Sequence, residues 1–252
     1  MADPKEEMAF LESVTGTYIT SKSPQDRLIK TLAMRTFAPY LGSGKSALEF
    51  GCLDGFMTGI ISECVGSLTV VDGSKTFLDR AKKRVRGNVD FVHSLFEDFC
   101  PDRRFDRVFA AFVLEHVNDA VGFLKSAASL LAGEGLVFIV VPNARALSRQ
   151  LARHMGLLGD LYALTPNDIN HGHRRVYDRV LLNRDIQAAG LLQVGQGGLL
   201  LKPFADFQMD KLLESELLGP AQTDGLYEMG LEYPDLAAAL FSICRAGKSD
   251  LP

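Results

Sequence analysis

A glycine-containing segment and one aspartate form the first group of residues whose types and spacing could do chemistry. The segment Glu49-Phe50-Gly51-Cys52-Leu53-Asp54-Gly55 follows a β-rich run, and Asp72 ends the next such run. Glycine lets a backbone turn tightly toward a ligand, and a helix that begins there favours electron-rich groups. An acidic side chain one strand later can accept hydrogen bonds from a ribose diol. The spacing predicts a site for a cofactor that contains adenosine.

A second group lies in a polar loop, where His171 and His173 are two residues apart. Histidine is the usual general base near neutral pH, and a His-x-His pair also invites a metal interpretation. A metal site needs three or four converging ligands, and only Asp160, Asp168 and Asp178 lie near in sequence. No metal site is predicted.

Seven arginines between residues 145 and 184 concentrate positive charge in the same region. Arg145, Arg149 and Arg153 recur at helical spacing and are expected on a solvated helix face. Arg174 and Arg175 lie in the polar loop, and arginine forks suit carboxylate and phosphate groups. We therefore expect an anionic or sugar-like substrate, such as a carboxylated aromatic, a nucleotide-linked sugar or a phosphorylated metabolite.

Short β-rich runs alternate with helical stretches and must position these groups. The predicted strands are 47–50, 68–71, 89–92, 105–110, 136–141, 193–201 and 238–245. The predicted helices are 24–37, 56–64, 74–86, 123–131 and 144–154, with an apolar helical pattern at 207–218. Strands joined by helical crossovers imply a Rossmann-like, doubly wound α/β fold with a seven-stranded, mostly parallel sheet. Ligands bind at the carboxyl ends of such strands.

The chain of 252 residues is predicted to form a single domain. Its parts are an N-terminal helical cap (1–41), a cofactor-binding half (42–142) and two helical lid insertions on the acceptor side (143–178 and 202–235). A net charge of −4 argues against nucleic acid as a partner, and the longest apolar run, 136–141, is too short to span a membrane. Residues 1–7 lack the pattern of a secretory signal, and the four cysteines are scattered, so we expect a cytoplasmic protein.

The ordered motifs resemble those of class I S-adenosylmethionine-dependent methyltransferases, in the small-molecule branch that includes ubiquinone-pathway and natural-product enzymes. Motif positions are matched at Glu49, Gly51, Cys52, Gly55, Asp72, 105–108, 113–117, 130–135 and 142–143. Leu53 stands where the family has the middle glycine of its first motif, and its side chain is expected to crowd the cofactor or shift the loop. A nicotinamide or flavin dinucleotide is the runner-up cofactor, but the Gly-x-Gly-x-x-Gly spacing is missing.

The resemblance implies S-adenosylmethionine as cofactor and S-adenosylhomocysteine as product. The cofactor contacts that it implies are Tyr18, Glu49, Gly51, Cys52, Gly55, Asp72, Gly73, Ser74, Ser94, Leu95, Phe96 and Phe112. In that pattern Gly51 and Cys52 approach the methionine carboxylate and amine, and Asp72 holds the ribose. Residues 94–96 line the adenine, and Phe112 lies near the methionine part.

Transfer to a small-molecule oxygen is favoured because histidines are available as bases. The resemblance implies that His116 and His173 are catalytic and that the acceptor is bound by His171, Arg174, Arg175 and Tyr177. Small-molecule N-methylation is an alternative, as is a catalytically silent partner subunit. The Asp/Asn-Pro-Pro-Tyr motif of nucleic-acid amino methyltransferases is absent. A homodimer through 207–218 is possible.

Overall fold

One β-sheet organises residues 4–17 and 23–247, which the computed structural model describes. Its strands are β1 (Gly42–Phe50), β2 (Val65–Asp72), β3 (Val89–His93), β4 (Phe105–Ala111), β5 (Leu131–Pro142), β6 (Leu191–Leu199) and β7 (Ala239–Ala246). They lie in the order β3-β2-β1-β4-β5-β7-β6. The first five are parallel, and β7 runs antiparallel to both β5 and β6. The predicted seven-stranded, mostly parallel sheet is confirmed.

Helices flank this sheet on both faces. They are α1 (Pro4–Val14), α2 (Pro24–Phe37), α3 (Phe56–Cys64), α4 (Lys75–Arg84), α5 (Ala120–Ser129), α6 (Leu147–His154), α7 (Pro166–Asn170), α8 (Arg179–Ala188), α9 (Asp206–Glu214) and α10 (Pro220–Glu232). The predicted helices 24–37 and 56–64 coincide with α2 and α3. Helices α8 and α10 and the bounds of α1 within the predicted cap were not predicted, and the expected polar loop contains α7, which a capping box between Thr165 and Asp168 closes. In residues 4–17 and 23–247, no helix has the length and apolar character that crossing a bilayer requires.

The core consists of two layers because successive residues of each strand point to opposite faces. Val70 and Phe109 pack in the layer that includes α2, α3, α4 and α10. Their neighbours Val71 and Val108 pack in the layer that includes α5 and α8. Both faces of the parallel strands are therefore buried, which explains the continuous apolar run in β5.

The two insertions differ in how they relate to the strand ends. Helices α6 and α7 of the first insertion and α9 of the second lie beside the carboxyl ends of the parallel strands, where Phe207 of α9 lines the cavity described below. Helix α10 instead packs against β6 and its extension, since a Cβ on Gly230 would lie 2.6 Å from the Leu200 nitrogen. The second insertion therefore reaches the cavity through α9 and supports the sheet through α10.

Candidate active site

A cavity of about 780 Å³ lies at the carboxyl ends of β1, β2 and β4. The strand order reverses between β1 and β4, and ligands of open α/β sheets bind at such a reversal. One end of the cavity is formed by the turn after β1 and by Asp72. The other end is formed by the turn after β4 and the loop around His173. We call the first the cofactor end and the second the acceptor end, after the ligands that the motifs imply.

The turn after β1 owes its shape to three residues with positive φ. These are Gly51 (φ 76°), Leu53 (φ 49°) and Gly55 (φ 78°). Left-handed backbone costs a non-glycine residue roughly 1–2 kcal/mol, so Leu53 keeps the conformation that glycine adopts freely. Its side chain lines the cavity and packs against the core. The turn therefore retains its course despite the missing glycine.

Asp72 ties this turn to the end of β2. Its carboxylate is 6% exposed, and its oxygens accept hydrogen bonds from the backbone nitrogens of Cys52 (2.9 Å) and Ser74 (2.8 Å). A carboxylate oxygen has more than one acceptor position, so the cavity side of Asp72 can still accept hydroxyl groups. Burial raises the pKa of Asp72 above its usual range.

Glu49 lies beside Asp72 and is 3% exposed. Within the described part of the chain, its Oε2 atom has no hydrogen-bond partner. Burial raises the pKa of Glu49 to about 8, and the Asp72 carboxylate adds to the rise. A cationic or hydrogen-bond-donating ligand in the cavity would satisfy this atom. The ammonium and sulfonium charges of S-adenosylmethionine suit that position, and the residues present fit the cofactor that the motifs imply.

The other predicted cofactor residues divide into two sets. Those that line the cavity, along with Glu49, Gly51, Cys52 and Asp72, are Gly73, Leu95, Phe96 and Phe112. Phe112, the residue directly after β4, has a φ of 57°, which is a strained value for a bulky residue. Such strain is found at ligand sites more often than elsewhere. Tyr18 lies outside the described residues.

Gly55, Ser74 and Ser94 do not line the cavity. They instead support the backbone segments that surround it. A Cβ on Gly55 would lie 2.7 Å from the Ala81 Cα, so this glycine allows α3 and α4 to pack closely. Ser74 caps α4 by accepting a hydrogen bond from the Phe77 nitrogen (3.2 Å). The Ser94 hydroxyl donates to the Leu95 carbonyl (2.8 Å).

Helix α1, which lies within the predicted N-terminal helical cap (1–41), covers the cavity at both ends: Leu11 lies against Gly73, and Phe10 and Val14 lie against Gly172. Its cavity-lining residues are Glu7, Phe10, Leu11 and Val14. Glu12 accepts a hydrogen bond from the Thr76 nitrogen at the start of α4 (3.2 Å). Phe10, Leu11 and Val14 follow Pro4 at positions i, i+1 and i+4, and this apolar face was the available signal for the bounds of the helix.

The acceptor end contains Glu115, His116 and His173, which offer ligand atoms within 4.8 Å of one another. The His116 and His173 rings meet edge to face with centroids 4.7 Å apart. His171 lines the same wall, with its ring centroid 6.2 Å from that of His173. Sequence reasoning selected the three histidines and passed over Glu115, although it directly precedes His116.

Burial dominates the electrostatics of this cluster. It raises the pKa of Glu115 to about 7. It lowers the pKa of His116 to about 3, and His173 contributes to that shift. Burial also acts on Asp168, but the adjacent His173 imidazole and hydrogen bonds from Thr165 outweigh it and hold the pKa of that carboxyl below its usual range. Asp168 is therefore the permanently charged member of the group.

Arg174 and Arg175 bind the backbone and do not line the cavity. Arg174 donates to the His116 carbonyl (2.7 Å) and pairs with Glu7 (2.7 Å). Arg175 donates to the carbonyls of Leu114 (2.8 Å), Val117 and Asn118. The predicted anion-binding role finds no support in this geometry, because these donors already hold the turn after β4.

Tyr177 is similarly placed away from the cavity. It is 1% exposed, and its hydroxyl donates to Asp185 of α8 (3.1 Å). It packs in the α5 and α8 layer of the core. Its side chain therefore anchors the insertion to the sheet, which differs from the predicted acceptor contact.

The cations that do line the cavity are all paired. Lys30 contacts Asp26 (2.8 Å), and Arg149 contacts Asp168 (3.2 Å). Lys202 pairs with Asp206. Arg149 was expected on a solvated face, yet it bridges Asp168 and the carbonyls of Leu161 and Ala163. The apolar lining that the two insertions contribute to the cavity includes Ala146, Ala152, Leu157, Leu158 and Phe207.

Comparison with known proteins identifies the family of the chain. A family model described as a methyltransferase domain matches residues 24–194. The ubiquinone biosynthesis O-methyltransferase of Rhodopseudomonas palustris (strain BisB5) is 28% identical over 169 residues, and the match covers 65% of each chain. The protein of the same name from Bradyrhizobium sp. (strain ORS 278) is 28% identical over 214 residues, covering 81% of this chain and 80% of the relative. The chain thus spans 65% of the length of the first of these relatives.

Solved structures share the fold at lower identity. The N-methyltransferase NodS from Bradyrhizobium japonicum WM9, in complex with S-adenosylhomocysteine, superposes with a TM-score of 0.60 at 14% identity and covers 96% of this chain and 98% of its own. A DhpI-SAM-HEP complex gives 0.61 at 18% identity over 96% of each chain. The family match extends over more than half of the sequence and confirms the class that the motifs predicted. The chain belongs to the methyltransferase domain family.

Proposed function

We propose that the protein transfers a methyl group from S-adenosylmethionine to a hydroxyl group of a small aromatic molecule. One observation carries the proposal: a single cavity joins the turn around Gly51 and Asp72 to the cluster of Glu115, His116 and His173. A donor held at the first end and a hydroxyl held at the second would share one enclosed space. The relatives named ubiquinone biosynthesis O-methyltransferase support this choice of acceptor.

At the cofactor end, Asp72 would accept the ribose hydroxyls and Glu49 would face the charged methionine part. Leu95 and Phe96 would flank the adenine, and Phe112 would border the reacting end. S-adenosylmethionine, when bound, supplies an electrophilic methyl group. The contribution of these residues is positioning, which can account for a large part of the rate of a bimolecular transfer.

At the acceptor end, Glu115 or His173 would take up the hydroxyl proton as the oxygen becomes nucleophilic. Burial lowers the pKa of His116 to about 3, so its imidazole would contact the hydroxyl without holding the proton. Asp168 would orient His173, since its Oδ1 atom lies 3.3 Å from the His173 Nδ1. The apolar lining would hold an aromatic ring. Because Arg174 and Arg175 are engaged and the cavity cations are paired, an acceptor carboxylate is not required for binding.

The test is a methylation assay with matched acceptors. We expect 3,4-dihydroxytoluene and 3,4-dihydroxybenzoate to yield monomethyl ethers together with S-adenosylhomocysteine, as measured by mass spectrometry, and 3,4-dimethoxytoluene to yield none. Comparable kcat/KM for the neutral and the carboxylated catechol would support the apolar lining as the main contact. A preference above about tenfold for the carboxylate would restore an anion-binding role for the cavity.

Two other outcomes would contradict the proposal. Methylation of 3,4-diaminotoluene without any methylation of hydroxyl acceptors would make the protein an N-methyltransferase. If calorimetric titration detected no S-adenosylhomocysteine binding, the silent partner subunit would be the better interpretation. Asp90→Ala removes an exposed carboxylate from β3, outside the cavity, and should leave both the methylation rate and the binding of S-adenosylhomocysteine unchanged.

A further inference from the structure

The cluster of Glu115, His116 and His173 has a composition that a hydroxyl-binding wall alone does not need. Two of its members come from the turn after β4 and one from the loop after α7, and backbone contacts hold the two segments together. The Arg174 nitrogen donates to the Glu115 carbonyl (2.7 Å), and the Arg174 side chain donates to the His116 carbonyl (2.7 Å). These bonds fix the two segments beside each other, and the three side chains then meet in the space between them.

Glu115 is 1% exposed, and its Oε2 atom has no hydrogen-bond partner among the residues that the structure describes. Leaving a buried carboxylate oxygen without a partner costs free energy, so native proteins satisfy such atoms with protein, water or an ion. The imidazoles of His116 and His173 are the side chains gathered with it. An ion bound between the three would compensate the carboxylate.

Asp168 supplies the outer contact that a metal-binding histidine needs. Its Oδ1 atom lies 3.3 Å from the His173 Nδ1. Its Oδ2 atom accepts from the Thr165 nitrogen (2.8 Å) and hydroxyl (2.7 Å), and pairs with Arg149 (3.2 Å). The His173 Nδ1 atom makes no hydrogen bond within the described residues, so a small rotation of the imidazole would bring it into a bond with Asp168. A carboxylate bonded to one imidazole nitrogen sets the orientation of the ring and leaves the other nitrogen for an ion.

The donor set also indicates the kind of ion. One carboxylate oxygen and two imidazole nitrogens suit zinc or another divalent transition metal, whereas magnesium and calcium prefer all-oxygen sites. Catalytic zinc sites have three protein ligands and one open position. All three side chains line the cavity, so the open position would face the acceptor. Ligand atoms of a tetrahedral zinc lie about 3.4 Å apart, so small rotations of side chains now within 4.8 Å would complete the site.

We propose that Glu115, His116 and His173 bind one divalent transition-metal ion, with Asp168 as the outer partner of His173. This reverses the expectation that no metal site exists. Binding itself does not depend on the proposed function, but its use does. A hydroxyl oxygen at the open position would lose its proton to solvent more readily, because a bound cation stabilises the conjugate base.

The experiment measures zinc and cobalt binding to the full chain after removal of metal with a chelator. Cys100 is exposed and could bind metal by itself, so all proteins carry Cys100→Ser. We expect one equivalent of zinc with a micromolar or lower Kd by calorimetry. Cobalt should give the intense visible absorption of a tetrahedral site without a thiolate band. Glu115→Gln, His116→Ala and His173→Ala should each weaken binding at least 100-fold, and Asp168→Asn about 10-fold to 100-fold.

His154→Ala is the matched control, because this exposed histidine lies at the end of α6 and outside the cluster. Circular dichroism and melting curves verify the fold of each variant. Zinc binding equal in the control and the cluster variants, or absent from the unmodified cluster, would overturn the proposal.

Methylation is measured in parallel with and without chelator. Hydroxyl methylation that persists without metal binding would leave the proposed function intact and remove the ion. Specific metal binding without methylation of any hydroxyl would support the metal site and contradict the proposed function.

Discussion

The two ends of the cavity are assembled in different ways. At the cofactor end, Gly51 and Cys52 follow β1 and Asp72 ends the neighbouring parallel strand β2. The Gly51 nitrogen donates to the Val71 carbonyl, and the Cys52 and Ser74 nitrogens donate to the Asp72 carboxylate. At the acceptor end, Glu115, Arg149 and Asp168 come from segments far apart in the chain and contact one another or His173 mainly through side chains. One end is a product of local chain geometry, and the other is a product of packing between the turn after β4 and the first insertion.

This difference teaches which residues can be exchanged independently. A turn shaped by positive φ values and strand register tolerates Leu53 in place of glycine, because the backbone path is set by its neighbours. A cluster built from mutual side-chain contacts loses several contacts when any one member changes. Substitutions at the two ends should therefore differ in the size of their effects.

Removing the Asp72 carboxylate should break the cofactor end. Asp72→Ala deletes the acceptor for the Cys52 and Ser74 nitrogens and for the ribose, so we expect S-adenosylhomocysteine affinity to fall at least about 100-fold in calorimetry. Asp90→Ala on the neighbouring edge strand should leave the affinity unchanged. Binding retained within about threefold in Asp72→Ala would show that the turn after β1 holds the cofactor without this side chain.

A side chain at Gly55 should destabilise the same end through packing. In Gly55→Ala the added methyl lies 2.7 Å from the Ala81 Cα, at a residue with a φ of 78°. Overpacking and left-handed backbone together should lower the free energy of unfolding by about 3 kcal/mol. Gly59→Ala in the same helix meets no atom within 4 Å and should raise it by up to about 1 kcal/mol. Urea denaturation measures both, and equal effects of the two substitutions would contradict this account.

The buried Glu49 should make the stability of the ligand-free protein depend on pH. Its pKa is about 8 in the folded state and 4.5 without burial, so its favourable contribution is complete below pH 4.5 and is lost as the pH rises toward 8. Relative to Glu49→Gln, the unmodified protein should lose up to about 3 kcal/mol of unfolding free energy between pH 5 and pH 8. A difference between the two proteins that does not vary with pH would refute the assignment. The exposed Glu134→Gln should show no such dependence.

Arg175 should stabilise the acceptor end without recognising the acceptor. Arg175→Ala removes the donors to the half-buried carbonyl groups of Leu114 and Val117 and to the exposed carbonyl of Asn118, and we expect the free energy of unfolding to fall by about 2 kcal/mol. Arg179→Ala breaks an exposed ion pair with Asp235 and should cost less than about 1 kcal/mol. Thermal unfolding compares them. A variant of full stability whose KM rises only for carboxylated acceptors would return Arg175 to the anion-binding role.

Much of the fold follows from local patterns in the sequence. Alternation and apolar runs placed the seven strands, and helical spacing bounded by Ser23, Pro24 and Gly55 placed α2 and α3. The bounds of α1 within the predicted cap were not predicted, because the helix has few apolar positions and no residue of it is buried. Helix α7 was missed because a five-residue helix has too little periodicity to recognise.

The candidate site residues also differ in how far local sequence patterns predicted their positions. Those next to the glycine turn lie at the cavity wherever their strand ends there, as Gly51, Cys52 and Asp72 do. Arg174 and Arg175 carry the guanidinium groups that bind anions, but these groups donate to backbone carbonyls. Charge and spacing cannot reveal such partners, because the carbonyls belong to a turn almost 60 residues earlier.

The sequence by itself determined the family, the parallel sheet and the cofactor end, because short-range steric rules and strand periodicity set these features within a few residues. Only the tertiary structure decided the acceptor end. It brought Glu115 and His116 against His173, paired the cavity cations with carboxylates and turned the loop arginines toward the backbone. Side-chain contacts across long sequence separations depend on how insertions pack, and no local pattern encodes that packing.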